Sequence, residues 1–202
     1  MSRTHRRFLN QRRAFAAAAL GICAGSSLLA GCAPWATYPP VETTADLAQP
    51  TYEPFPTLMA LAVIDAHNEW GTVDEGIVYN LPVGTPLDVY EKVNRRLDIR
   101  LGQKDDSPSA RPMSESDPAG YHILAVRTRG TDAEVDVIYP RADGLPELVT
   151  IYYSRSLVRD FSVDRFRPWR IRVETPMASY DQAVRDEAAA NEPAPSDTSS
   201  EA

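Results

Sequence analysis

The stretch Tyr121-His-Ile-Leu-Ala-Val-Arg-Thr-Arg-Gly-Thr-Asp-Ala-Glu-Val-Asp-Val-Ile-Tyr139 decides the fold. Two runs rich in β-branched and aromatic residues, 121–129 and 134–139, flank the turn residues Gly130-Thr131-Asp132-Ala133. Pairing Arg129 with Glu134 sets a register that every other pair must satisfy. It places Arg127 opposite Asp136, Val126 opposite Val137 and Leu124 opposite Tyr139, so opposite charges meet and apolar residues meet. This pattern predicts an antiparallel hairpin.

Downstream, Asp143-Gly144 precedes a third predicted strand over 147–153, and 161–166 and 169–173 read as one or two more. In the last of these Trp169, Ile171 and Val173 alternate with Arg170, Arg172 and Glu174, which predicts an apolar side on the core. Tyr152, Tyr153, Phe161, Phe166 and Trp169 are expected in that core. Upstream, Met59, Val63, Ala66 and Trp70 recur at helical spacing between a capping Thr57 and Gly71, which suits a left-handed helix end. Residues 76–80 read as a short strand. Thr85-Pro86-Leu87-Asp88 opens a second helix, with Val89, Tyr90, Val93 and Leu97 on its apolar side and Arg95-Arg96 toward its end. Residues 102–120 read as a polar loop. Helices first and an antiparallel meander afterwards mean α+β. This order, with its closing Trp-bearing strand, resembles the NTF2-like and cystatin-like folds, which implies a helix lying in a curved antiparallel sheet.

The chain has 202 residues and a formal net charge of −7. Residues 1–31 hold five arginines and no acid, so the remainder carries 16 basic against 28 acidic residues. That balance excludes a general nucleic-acid binder, which needs surplus basic charge. Basic residues 1–13 followed by apolar 14–30 read as a secretory signal. The segment closes with Leu29-Ala30-Gly31-Cys32, which resembles the lipobox of bacterial lipoproteins. The resemblance implies diacylglyceryl transfer to Cys32, cleavage before it and acylation of the new N-terminus. Ala33, where Asp would favour inner-membrane retention, implies the outer membrane of a diderm host, facing the periplasm. Arg12-Arg13-Ala14-Phe15 also resembles a twin-arginine signal, but Gln11 and Ala16-Ala17 depart from it, and an ordinary positive segment is the preferred reading.

The expected organisation is therefore 1–31 signal peptide, 32–55 lipidated cysteine and proline-rich tether, 56–176 a single α+β domain, and 177–202 a disordered acidic tail. The tail admits a short helix near Tyr180 to Ala190. The tether is expected to lift the domain off the bilayer, with Trp35 at the lipid interface.

Candidate chemistry is sparse. After processing only His67 and His122 remain as histidines, with no free thiol, phosphate loop or nucleophile elbow. Asp65 and Glu69 lie one turn apart on the first helix, and His67 points about 160° away from their midline, so one helix cannot offer all three to a metal. A carboxylate of this pair in a cavity would suit a general base; a solvated helix end is the plainer reading. His122, on the predicted alternation of Leu124 and Val126, is either a titrating pocket group or a satisfied strand histidine. Asp74-Glu75 follows the first helix. Asp105-Asp106 and Glu115/Asp117 could hold a hard cation but lack a glycine-turned calcium loop. Arg155, Arg159, Arg165, Arg167, Arg170 and Arg172 form a local positive excess against Asp160, Asp164 and Glu174: either a surface for a partner, anionic headgroups or cell-wall polymer, with Arg165, Arg167, Arg170 and Arg172 as its core, or a solvated strand face.

The expected function is a membrane-anchored, non-enzymatic binding or scaffolding lipoprotein of the cell envelope. Its partners are the bilayer, through acylated Cys32, and an envelope protein or polymer. A cavity-based enzyme or small-ligand binder using Asp65, Glu69 or His122 is the alternative. No cofactor and no metal are expected.

Overall fold

The computed structural model describes residues 34–41, 48–71, 76–102, 109–141, 143–156 and 158–191. The chain divides after Pro34, and every element below belongs to the unit Trp35–Ala202. In chain order these elements are β1 (Ala36–Tyr38), α1 (Phe55–Trp70), β2 (Ile77–Asn80), α2 (Leu87–Leu101), β3 (Ala110–Pro112), β4 (Tyr121–Arg129), β5 (Asp132–Pro140), β6 (Pro146–Ser156), β7 (Arg159–Arg172) and α3 (Tyr180–Ala190). The fold is α+β. Its sheet runs β3-β2-β4-β5-β6-β7, and β1 pairs with β4 beside β2.

The sheet is mixed, a correction to the purely antiparallel expectation. β2 lies parallel to β3 and to β4, because α2 carries the chain back before β3 starts in the same direction. β4 through β7 are antiparallel, as the meander reading requires.

The hairpin of β4 and β5 keeps the predicted strands but not the predicted register. Arg129 pairs with Asp132, Arg127 with Glu134 and Val126 with Val135. Gly130, at φ 61°, turns the chain in two residues, where four were expected. A slip of two leaves each side chain on its face. Arg127 therefore still reaches Asp136 diagonally at 2.5 Å, while facing Glu134 at 3.6 Å. A bulge between Ile123 and Ala125 then changes the parity of the strand. Ile123 and Val126 share the core face, and His122, paired with Ile138, faces the other way.

α1 packs its Leu58, Met59, Ala62, Val63 and Ala66 against β4 and β5. It begins at Phe55, two residues ahead of the expected cap; Thr57 lies within the first turn and accepts the Nε proton of Arg96 at 3.0 Å. Gly71 is extended (φ −76°), not left-handed. Glycine is required there for space, because a Cβ would lie 2.4 Å from His67 Nδ1 and 2.7 Å from the Tyr121 hydroxyl. α2 buries the expected Val89, Tyr90, Val93 and Leu97 but continues to Leu101, so Arg96 is mid-helix and bonds Glu53. Thr85 does not cap it: its hydroxyl donates to the Pro82 carbonyl at 2.6 Å.

Two segments expected outside the domain belong to its packing. Ala36–Tyr38 fills the β4 edge beyond β2, and the buried Tyr38 and Phe55 rings meet edge to face at 6.4 Å. Ser179 bonds Asn80 through both its amide (3.0 Å) and its hydroxyl (2.8 Å), and Tyr180 packs on Tyr90 at 5.1 Å. α3 is the short helix anticipated at Tyr180, docked by this contact.

Candidate functional site

The carboxylate and histidine candidates do not converge. Asp65 is half-buried on α1, and its Oδ2 accepts the Tyr153 hydroxyl proton from β6 at 2.9 Å. Burial raises its pKa, opposed by that hydrogen bond and by Arg100. His67 meets the Tyr121 hydroxyl at 3.0 Å. His122 sits on the opposite sheet face, where the Asn80 Nδ2 donates to its Nδ1 at 3.3 Å. Only 2% exposed, it is lowered by burial to about 4 and is neutral at physiological pH. Its expected alternation with Leu124 and Val126 fails because of the bulge.

The acidic loop candidates are spoken for where they are described. Asp117 accepts two bonds from Arg111 (2.7 and 2.5 Å) and one from the Ser114 amide (2.8 Å), and Arg111 holds its carboxyl well below the usual range. Glu115 pairs with Arg185 at 3.4 Å. Asp74-Glu75, Asp105-Asp106, Cys32 and the whole signal segment lie outside the described residues. Among the described residues no group of three His, Cys, Asp or Glu is placed to hold a metal, and no helix is long and apolar enough to cross a membrane.

Glu69, exposed in the last turn of α1, borders a cleft of about 800 Å³ on the core side of the sheet. Trp70 forms part of its wall, stacked on Tyr139 at 4.3 Å and braced edge-on by Phe166 at 5.1 Å. Glu147 lines it too, accepting the Tyr139 hydroxyl at 2.8 Å and facing Arg141 at 3.7 Å. Burial and the Glu147 carboxylate both push the Tyr139 hydroxyl upward, so it stays a donor. Arg170 and Ile171 close the rim.

The arginines of β7 form the other candidate, and here the expected geometry is partly overturned. Tyr153 and Ile151 face the core, so their neighbours Tyr152 and Thr150 face outward, paired with Arg165 and Arg167. Arg165 lies over the Tyr152 ring at 4.1 Å and Arg167 over the Trp169 ring at 4.3 Å. Trp169 is not core: it is 42% exposed, and its Nε1 donates to Thr150 Oγ1 at 2.9 Å. Thr150 in turn donates to Asp136 at 2.6 Å, which Arg127 holds from the far side. Ile171 is likewise 51% exposed. The cause is a bulge: Val149 pairs with Pro168 but Glu147 with Arg172, so Trp169, Arg170 and Ile171 face a single residue, Leu148. Arg170 takes a φ of 52° at that bend, strained backbone for a side-chain-bearing residue. The Arg172 side chain lies outside the described residues.

Charge partners separate these arginines from five others on the domain, although the exposed Arg95 and Arg100 on α2 also meet no described carboxylate within 4.0 Å. Arg96, Arg111, Arg127, Arg141 and Arg185 each meet a carboxylate. Among the described residues none lies within 4.0 Å of Arg155, Arg159, Arg165, Arg167 or Arg170. Instead Arg155, Arg165 and Arg167 rest on aromatic rings. Tyr152 was missed as a surface platform, although adjacency to Tyr153 was a usable signal, since neighbouring strand residues face opposite sides. Glu147 and Arg141 carried no motif at all.

Compared with protein-family models, with curated proteins and with solved structures, the chain matches none.

Proposed function

We propose that the protein is an exported lipoprotein of the bacterial cell envelope, anchored through acylated Cys32, that binds an anionic envelope protein or polymer through the outer face of β6 and β7. The observation that carries this reading is the set of exposed β7 guanidinia, Arg159, Arg165, Arg167 and Arg170, that meet no described carboxylate, in a chain that is acidic overall. Arg165 and Arg167, set over the Tyr152 and Trp169 rings at 4.1 and 4.3 Å, lose little side-chain freedom on contact while keeping N–H groups open to anions. We also keep the NTF2-like or cystatin-like assignment as a proposal, supported by α1 lying across β4 and β5 and by the Trp-bearing last strand.

The test has two arms. Mass spectrometry of membrane-extracted protein should find residues 1–31 removed and acyl mass on Cys32. Replacing Arg165, Arg167, Arg170 and Arg172 by Gln should weaken salt-sensitive capture of envelope components several-fold in the lipidated protein. Undiminished capture removes β7 as the contact surface.

A second reading rests on Glu69. The cleft it shares with Trp70, Glu147, Arg141 and Arg170 has the size of a small-ligand site and offers an aromatic wall with both donors and acceptors. A ligand taken there should be lost on Glu69→Gln or Trp70→Ala.

A further inference from the structure

β1 changes the geometry of anchoring. A long tether would let the domain stand away from the bilayer, but Ala36 is already paired with Thr128 in the sheet. Cys32 precedes Ala36 by four residues, a span of at most about 14 Å when fully extended. Ala36 enters the sheet at one particular end. Because β4 to β7 are antiparallel, the β4–β5 and β6–β7 turns lie together at that end, linked by the Arg155 amide donating to the Thr131 carbonyl at 3.0 Å.

This end is apolar at its tip and basic beside it. Val158, in the β6–β7 turn, is 90% exposed, the most exposed large apolar side chain described. Arg155 and Arg159 flank it, both exposed and neither within ion-pair distance of a described carboxylate. Arg129 stands at the neighbouring turn. The acids here are Asp132, Asp160 and Glu53, and Arg96 already holds the last. Trp35, half-buried, is the residue immediately before β1. An apolar tip between guanidinia, at the end of the sheet where Trp35 leads into β1, matches a phospholipid headgroup layer: phosphates for the arginines, the interface for valine and tryptophan. The acidic remainder of the chain is repelled by an anionic surface, which favours the same orientation.

We propose that this end of the sheet rests on the bilayer that anchors the chain, Val158 entering the headgroup layer and Arg155 and Arg159 contacting lipid phosphates. The inference relies on the lipidation of Cys32. It places the β7 outer face sideways to the membrane, open to a partner, and the Glu69 cleft away from it.

With Cys32 acylated, a single introduced cysteine can be labelled alone. Full-length chain carrying Val158→Cys, or Leu145→Cys in the β5–β6 turn at the far end of the sheet, is expressed in a lipoprotein-processing host. It is labelled with an environment-sensitive fluorophore and placed in phosphatidylethanolamine–phosphatidylglycerol vesicles containing headgroup-level nitroxide lipid. Leu145 is 53% exposed and lies about 30 Å along the strands, so its label is a matched control. Quenching should be at least threefold stronger at 158 than at 145. Equal quenching at the two positions, or none at 158, overturns the proposal. Adding Arg155→Gln and Arg159→Gln should halve the quenching at 158 while the protein stays vesicle-bound; no change overturns the phosphate contact. Mass spectrometry of the same sample reports acylation separately, so loss of the anchor is distinguished from failure of the orientation.

Discussion

His122 shows what a single buried side chain does to the whole. In the unfolded chain an imidazole titrates near 6.5, and in the fold burial lowers it to about 4. Between those values the unfolded chain binds the extra proton, so its stability contribution is complete above about pH 6.5 and falls away as pH drops toward 4. At about 1.4 kcal/mol per pH unit the loss is of the order of 3 kcal/mol. Urea unfolding at pH 7 and at pH 4.5 should reveal it, and His122→Gln should flatten that slope; an unchanged slope would assign acid sensitivity elsewhere. Arg170 invites the opposite test. Glycine accepts a φ of 52° freely, so Arg170→Gly should hold or raise stability by up to about 1 kcal/mol, measured by the same unfolding. A loss beyond 1 kcal/mol would mean that the guanidinium packs more than the bulge strains. Of the two, His122 was visible only as a choice between a titrating pocket group and a satisfied strand histidine, while Arg170 alternated neatly with its neighbours.

At the scale of elements, apolar spacing was a good guide and termini were not. The buried side of α2 is the predicted set, because a helix must turn its apolar stripe inward wherever it ends. Both helix starts were misplaced, since neither hydroxyl caps its helix: Thr57 accepts from Arg96 on α2, and Thr85 donates to the Pro82 carbonyl three residues back. The hairpin was found and its register missed by two, because charge and apolar matching score alternate registers alike once faces are conserved. β1 was hidden for another reason: three residues in a proline-rich stretch carry no periodicity of their own, and only the open edge of β4 makes them a strand. Tyr38 accordingly carries a prediction. Its ring is 6% exposed and its hydroxyl bonds Thr85 at 2.9 Å, so Tyr38→Ala should cost about 3 kcal/mol, read by chemical denaturation. A cost under 1 kcal/mol would return this segment to the role of a loose tether.

Taken as a whole, the domain sets its chemistry-bearing candidates in separate places, Glu69 exposed and the others buried or half-buried, and leaves its β7 arginines outside. Exposed cation–aromatic pairs contribute about 0.5–1 kcal/mol each. Gln at Arg165 and Arg167 together should therefore lower stability by no more than about 2 kcal/mol, a shift of a few degrees in a thermal melt. Unfolding of the double variant would make these side chains structural and end their case as a docking surface. Asp65, Glu69 and His122 were each visible as candidates, yet whether His122 meets the α1 carboxylates depends on the direction in which its strand face turns. One inserted residue at Leu124 sends His122 away from α1.

Local pattern alone was enough to read the α+β class, the strands of the meander, the buried stripe of α2 and the expectation of an exported, acylated chain. These follow from periodicities and short motifs that act over a few neighbouring residues. Only packing of distant segments settled the mixed sheet, the capture of Ala36–Tyr38 and Ser179 by the domain, the parity-changing bulges and the β7 arginines that meet no described acid. Each of those depends on partners dozens of residues away, and the free energy that selects them belongs to the contact rather than to either segment.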